Sequence, residues 1–347
     1  MKASYKKHIL NFKRPSGTSR GVLRTKETWF LILEEKGKWG VGECGILQSL
    51  SIDDRPDYEV KLRWVCDNIE KGKDYLYDNL TEFPSIQIGV ETAFKSLQAD
   101  DSFQIFPSEF SKGFKAIPIN GLIWMGDKSF MKEQISEKLK EGFQCIKMKI
   151  GAIDFDTEIE LLKSIRQEFS ASEIELRVDA NGAFAPSEAL EKLKILSELQ
   201  LHSIEQPIKQ GQWQEMARLC EETPLPIALD EELIGVFSSE GKKKLLQTIQ
   251  PQYIILKPSL IGGFQGSDTW IDLAEQMGAD WWITSALESN VGLNAISQYT
   301  FTKKVTLPQG LGTGSLYTNN IDSPLKVCNG SIQYDTNEQW DLSLLNE

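Results

Sequence analysis

From about residue 116 the chain repeats one pattern: a short β-rich run, a polar turn, then an amphipathic stretch of helical period. The runs fall at 116–120, 145–150, 175–179, 203–206, 227–230, 253–257, 281–285 and 305–307, with helices predicted between them, for example over 156–169 and 187–199. Pro186 stands near the first turn of the latter, where its missing N–H costs nothing. Eight strands alternating with about seven helices predict a closed parallel barrel. The first 115 residues have a different texture. Two strands, 28–34 and 39–44, flank a short turn at 36–38; polar loops at 15–21 and 48–56 lie on either side, and helices are predicted at about 57–71 and 85–98. The expected organisation is therefore α/β: a (β/α)7β modified TIM barrel over 116–319 behind an N-terminal α+β capping domain over 1–115. The tail, about 320–347, carries a strand at 331–334 and has the length to return to the cap.

A strand has a period of two, so each run presents two faces. Ile146, Met148 and Ile150 share one face, and Lys147 and Lys149 the other. Val178 alternates with Asp179, Ile204 with Glu205, Leu229 with Asp230 and Leu256 with Lys257. In a barrel the apolar set faces the helices and the charged set faces inward, at the C-terminal strand ends where barrel active sites are built. Lys149, Asp179, Glu205, Asp230, Lys257 and Ser285 follow one another at intervals of 30, 26, 25, 27 and 28 residues, about one βα unit each. Taken singly, a Lys-x-Lys is a solvated strand face, an acid at a strand end is a helix cap, and Asp179-Ala180-Asn181-Gly182 is an Asx turn. Taken together, in one phase and at one spacing, they aim at one volume.

Three facing carboxylates repel unless they are protonated or share a cation. Oxygen donors of this kind suit Mg²⁺, with Mn²⁺ also compatible. Lysines beside such an ion have their pKa values lowered towards those of a general base. A metal that stabilises an enediolate, paired with a lysine base, can remove the weakly acidic proton α to a carboxylate.

Composition narrows the alternatives. Only two histidines occur, His8 and His202, which excludes a His-rich zinc site and an HExxH helix. Thirty-eight basic against fifty acidic residues give a net charge of −12, so neither nucleic acid nor an anionic membrane is an expected partner. No apolar stretch approaches the ~18 residues of a membrane span, and the basic start, Met1 to His8, is followed by no apolar signal segment. The five cysteines, Cys44, Cys66, Cys145, Cys220 and Cys328, form no disulfide or CxxC framework, which points to the cytoplasm.

The set Lys147-Met148-Lys149, Val178-Asp179-Ala180-Asn181, Ile204-Glu205-Gln206-Pro207, Leu229-Asp230-Glu231 and Leu256-Lys257-Pro258-Ser259-Leu260-Ile261-Gly262-Gly263 resembles the enolase superfamily, specifically its muconate-lactonizing-enzyme-like subgroup. Further stretches, Ser285 to Gly292, Gly310 to Gly314 and Pro84 to Ala93, resemble the members that dehydrate 2-succinyl-6-hydroxy-2,4-cyclohexadiene-1-carboxylate to 2-succinylbenzoate in menaquinone biosynthesis. The resemblance implies that Asp179, Glu205 and Asp230 bind Mg²⁺ and that Lys149 is the acid–base residue. Lys147 would hold substrate charge, and Lys257 would act from the opposite face. It also implies that Asn181 and Glu231 support the ligands, and that Arg20, Ser285 and Glu288 contact a small carboxylate substrate under loops 16–20 and 48–51. N-acylamino acid racemases and dipeptide epimerases share the ligand set. The run Gln309 to Gly314 lacks the acid that dipeptide epimerases use to hold an ammonium. A barrel reduced to a scaffold would have lost a ligand or a lysine, and all are present.

Overall fold

The computed structural model describes residues 1–18, 21–124 and 126–346. The cap opens with a three-stranded antiparallel sheet in chain order: β1 (Lys2–Thr18), β2 (Gly21–Glu35) and β3 (Lys38–Gly45). Lys36 and Gly37, both at positive φ (51° and 79°), join β2 to β3 in a two-residue turn whose twist suits a hairpin. Helices α1 (Tyr58–Asp67), α2 (Lys73–Asp78) and α3 (Pro84–Gln98) follow. Helix α3 lies directly on β3, and glycine is required on both sides of that contact. A Cβ at Gly42 would run into the Gly89 carbonyl, and one at Gly89 into Cys44 Sγ. Trp29, Leu31, Leu33, Leu62, Ile86, Val90 and Ala93 fill the core between sheet and helices.

After β4 (Ile117–Pro118) comes the barrel: β5 (Gly121–Ile123), α4 (Lys128–Lys140), β6 (Cys145–Lys149), α5 (Phe155–Glu168), β7 (Glu175–Asp179), α6 (Pro186–Ser197), β8 (Ser203–Glu205), α7 (Trp213–Glu222), β9 (Ile227–Leu229), α8 (Ser239–Ile249), β10 (Tyr253–Leu256), the short α9 (Pro258–Ile261), α10 (Gly263–Gln276), β11 (Asp280–Ile283) and α11 (Asn290–Thr302). Strands β5 to β11 pair in parallel, each with its chain neighbours. Parallel bridges from Ile119 to Gln309 and from Thr284 to Gly310 close the ring. The class inferred from the periodicity, an α/β barrel behind an α+β cap, is the one observed. Ile146, Met148, Val178, Ile204, Leu229 and Leu256 are buried in the main hydrophobic core, as strand residues sandwiched by outer helices must be.

Three sequence expectations need correction. The run at 116–120 is split: β4 pairs with the tail hairpin of β12 (Leu325–Cys328) and β13 (Ser331–Tyr334), Ile119 pairs with Gln309 and the Asn120 N–H donates to the Gln309 carbonyl where the ring closes, and the continuous barrel strands begin at β5. Residues 305–307 form no strand, because closure is made by Gln309 and Gly310. The described part of the polar loop at 15–21 continues the hairpin of β1 and β2, whose register shifts between Asn11 and Ser16. Beyond β13 the tail runs to α12 (Ser343–Asn346) and lies on the cap sheet: the Trp340 ring stacks on Phe103 at 3.9 Å, and Lys6 Nζ donates to the Leu344 carbonyl at 2.7 Å.

Candidate active site

The parallel register sets Lys149, Asp179 and Glu205 side by side on β6, β7 and β8, one level above Lys147, Arg177 and Ser203. Asp230 directly follows β9 and Lys257 directly follows β10. Oxygens of Asp179, Glu205 and Asp230 lie within 4.8 Å of one another, and all three residues are buried. Lys147 Nζ contacts Glu205 and lies 3.0 Å from Asp179 Oδ2. Lys149 Nζ donates to the same Asp179 oxygen at 2.8 Å and to Asn181 Oδ1 at 2.8 Å. Across the ring, Lys257 Nζ donates to Asp230 Oδ2 at 2.5 Å.

Burial and charge compete in this cluster. Burial alone drives Lys147 down, but Asp179, Glu205 and Asp230 outweigh it and hold the ammonium above its ordinary range. Lys257 is likewise pushed down by burial and carried up by Asp230 and Glu231. Each of these two ammonium groups touches a carboxylate, and that contact sets the direction; the lowering expected beside a divalent ion belongs to the ion-loaded site. Burial raises Asp179, yet Lys147, Lys149 and Lys257 together keep it below the usual carboxylate range. Glu205 is pushed up to about 8, by burial first and then by the neighbouring acids against the pull of Lys147. Its Oε1 is buried without a hydrogen-bond partner. A buried carboxylate oxygen left unmatched, facing two more acids, has the form of a divalent-cation site built from hard oxygen donors.

The ligands are braced from behind. Asn181, at φ +44°, donates its backbone N–H to Asp179 Oδ1 at 3.0 Å and its side-chain amide to Glu231 Oε1 at 3.1 Å. Gln206 Oε1 accepts the N–H groups of Asp230 and Glu232 at 3.2 and 3.3 Å. Its Nε2 donates to Glu232 Oε2 at 2.9 Å. The sequence reading quoted Gln206 inside a motif without giving it this work, and a buried Gln one residue after a ligand was the available signal.

A cavity of about 640 Å³ opens above the cluster, between barrel and cap. Lys147, Lys149, Asn181, Glu231, Lys257 and Ser285 line its floor and walls. Ser16 of the β1–β2 hairpin and Gln48, Ser49 and Leu50 of the following loop roof it. Ser285 Oγ is hydrogen-bonded to Thr313 Oγ1 at 2.7 Å and accepts the Leu287 N–H at 3.0 Å. Glu288 is not among the lining residues: it is 1% exposed and accepts from Ser259 Oγ behind the wall at 2.5 Å. Arg20 lies outside the described residues. Lys13, Arg14, Leu23, Trp124 and Leu316, which also line the cavity, were missed. They come from segments distant in sequence that carry no motif, so no local signal marked them.

A closed α/β barrel with a buried acid triad contacted by three lysines, under a docked cap, defines a class of protein whose site can pair acid–base groups with carboxylates able to hold a cation. The chain belongs to the enolase superfamily: residues 131–338 match the Enolase C-terminal domain-like family. It is 48% identical to the o-succinylbenzoate synthase of Desulfotalea psychrophila (strain LSv54) over 96% of this chain and 98% of that protein. The crystal structure of MenC from Desulfotalea psychrophila LSv54 superposes with a TM-score of 0.86 at 43% identity, covering 96% of this chain and 99% of that one. The muconate lactonizing enzyme from Pseudomonas fluorescens, at 20% identity, shares the fold with a TM-score of 0.81 over 99% and 97% of the two chains.

Proposed function

We propose that this chain catalyses the o-succinylbenzoate synthase reaction, the syn elimination of water from 2-succinyl-6-hydroxy-2,4-cyclohexadiene-1-carboxylate to give 2-succinylbenzoate. It acts as a carbon–oxygen lyase. The single observation that carries the reading is the 48% identity along nearly the whole of both chains, supported by the convergence of the acid triad with Lys147, Lys149 and Lys257.

Asp179, Glu205 and Asp230 would hold the divalent ion, Mg²⁺ or Mn²⁺, consistent with their clustered oxygens and the unmatched Glu205 Oε1. When bound, such an ion supplies positive charge that lowers the cost of an enediolate. Lys149, as the amine, takes the proton α to the ring carboxylate. The electron pair is held in the enediolate, returns to form the new ring double bond, and expels the hydroxyl. The same Lys149, now an ammonium, gives that proton to the departing oxygen, so one proton and one hydroxide leave as water. A single acid–base group serves both transfers because a syn elimination keeps both on one face. Asp179 Oδ2 and Asn181 Oδ1 orient its Nζ. Lys147 holds carboxylate charge at the floor. Lys257 steadies the enediolate, or the ring as a cation, from the opposite side.

The partner is a small carboxylate, and no described helix is long and apolar enough to cross a membrane. Five cysteines without a disulfide suit a cytoplasmic enzyme. A second reading, racemisation of an N-acylamino acid, has one observation in its favour. Strands β6 and β10 stand four places apart in an eight-membered ring, which sets Lys149 and Lys257 on opposite walls, and racemisation needs a base on each side. A spectroscopic dehydration assay with the cyclohexadiene carboxylate, run beside an N-succinylamino acid, separates the two. Turnover of the amino acid with none of the diene would reverse the assignment.

A further inference from the structure

Two buried glutamates of the cap take no part in the proposed chemistry, and both end on barrel helices. Glu43, on β3, accepts Thr28 Oγ1 at 2.8 Å and the Ser289 N–H at 2.8 Å on Oε1. Its Oε2 accepts Ser289 Oγ at 2.5 Å and the Gly292 N–H at 2.8 Å. These last donors belong to the first turn of α11. Glu91, on α3, accepts the Phe264 N–H at 2.6 Å and the Gln265 N–H at 3.1 Å, in the first turn of α10. A Cβ at Gly263 would collide with the Glu91 carboxylate, and Tyr77 of α2 donates its hydroxyl to the Gly262 carbonyl at 2.6 Å.

Helix N-termini carry unpaired N–H groups and partial positive charge, so a carboxylate there is both hydrogen-bonded and electrostatically favoured. Helices α4, α5 and α8 take that cap from their own flanking residues, Asp127, Asp154 and Ser238. Helix α10 has only Gly262 at its N-cap, with no side chain to offer. The cap domain supplies the missing group.

The two contacts form one circuit. Ser289 adjoins Glu288, which accepts from Ser259 Oγ of α9. Helix α9 starts immediately after Lys257 and ends at the Gly262 held by Tyr77. On the other arm Leu287, strained at φ +62°, is fixed by Ser285 Oγ at its N–H and by the Tyr317 hydroxyl at its carbonyl, the latter at 2.6 Å. Lys257, Ser285 and Leu287 all line the cavity.

We infer that Glu43 and Glu91 are positioning residues through which the cap places the wall at Ser285 and Leu287 and the turn that carries Lys257. The cap and the last two βα units of the barrel then form one rigid body. A carboxylate dry enough for burial to push Glu91 up to about 7 is a poor choice for mere adhesion, which apolar contact supplies without that cost.

The kinetic arm of the test rests on the dehydration reading; the exchange arm does not. Full-length E43A, E43Q, E91A and E91Q are compared at a temperature where circular dichroism shows each folded. E91A is expected to lower kcat about tenfold, through Lys257, and E43A to raise KM about tenfold, through the wall, with the glutamines in between. Metal affinity measured by calorimetry should stay within about twofold, because neither glutamate touches the acid triad. In hydrogen exchange, amides of 258–266 should open faster in E91A and those of 289–293 in E43A. Folded variants with wild-type kcat, KM and exchange would overturn the inference. So would losses of turnover and metal affinity that track the folded fraction. Wild-type enzyme inert towards the diene would remove the functional reading alone, and exchange would still decide the placement claim.

Discussion

Replacing Lys149 by alanine isolates the proposed acid–base step. The structure bounds what else changes. Lys149 Nζ makes two hydrogen bonds, to Asp179 Oδ2 and Asn181 Oδ1, each 2.8 Å. Asp179 keeps Lys147 at 3.0 Å and the Asn181 N–H, and Asn181 keeps Glu231. No buried charge is stranded, so the stability cost should stay near 1–2 kcal/mol, the scale of lost hydrogen bonds at a partly open site. The loss of rate is far larger. A positioned acid–base group contributes roughly 10²–10⁴-fold to a proton transfer, and here one amine serves two transfers. We expect kcat to fall at least about 10⁴-fold, or roughly 5.5 kcal/mol in the barrier. The assay follows aromatisation of the diene, with calorimetric metal titration and circular dichroism as controls. A folded, metal-binding Lys149→Ala enzyme that keeps a hundredth or more of its turnover would refute the assignment of both transfers to this amine.

The other expectations are read in separate experiments. Glu205→Gln replaces the carboxylate whose Oε1 has no partner; calorimetric affinity for Mg²⁺ should fall about tenfold or more, and unchanged affinity would count against the triad as ligands. Lys13→Ala with Arg14→Ala removes two exposed cations at the cavity rim. KM for the dianionic substrate should rise a few-fold at low salt and converge with wild type at high salt, since such charges are screened; a rise indifferent to salt would argue for shape instead. Lys242 is buried and donates to the Gly266 carbonyl at 2.9 Å, and burial lowers it from 10.5 to about 8. Because the folded value lies below the unfolded one, the unfolded chain holds more protons between these limits. Stability owed to this group therefore rises with pH from about 8 to 10.5, by up to roughly 3 kcal/mol. Denaturant melts of wild type against Lys242→Met should show that difference, and parallel pH profiles would exclude it.

Much of this molecule was readable from local pattern. Alternation along each strand told which side chains face inward, and because a βα unit has a nearly constant length, residues about 27 apart had to rise to the same rim. That reasoning reached Lys147, Lys149, Asp179, Glu205, Asp230 and Lys257 without knowledge of any contact. The strand ends misassigned at 116–120 and 305–307 show its limit. Short apolar runs look alike, and pairing chose between them: β4 is taken by the tail hairpin, and the ring is closed by Gln309 and Gly310. The direction of the Lys147 and Lys257 shifts was equally beyond pattern, since it turns on which oxygen lies within hydrogen-bonding distance. So was the cavity roof, assembled from Ser16, Leu50 and Trp124. Periodicity carries information about which face a residue occupies on its own element. Which neighbours it meets there depends on contacts between segments hundreds of residues apart, such as Glu43 with Ser289, and those come into being only when the cap docks on the barrel.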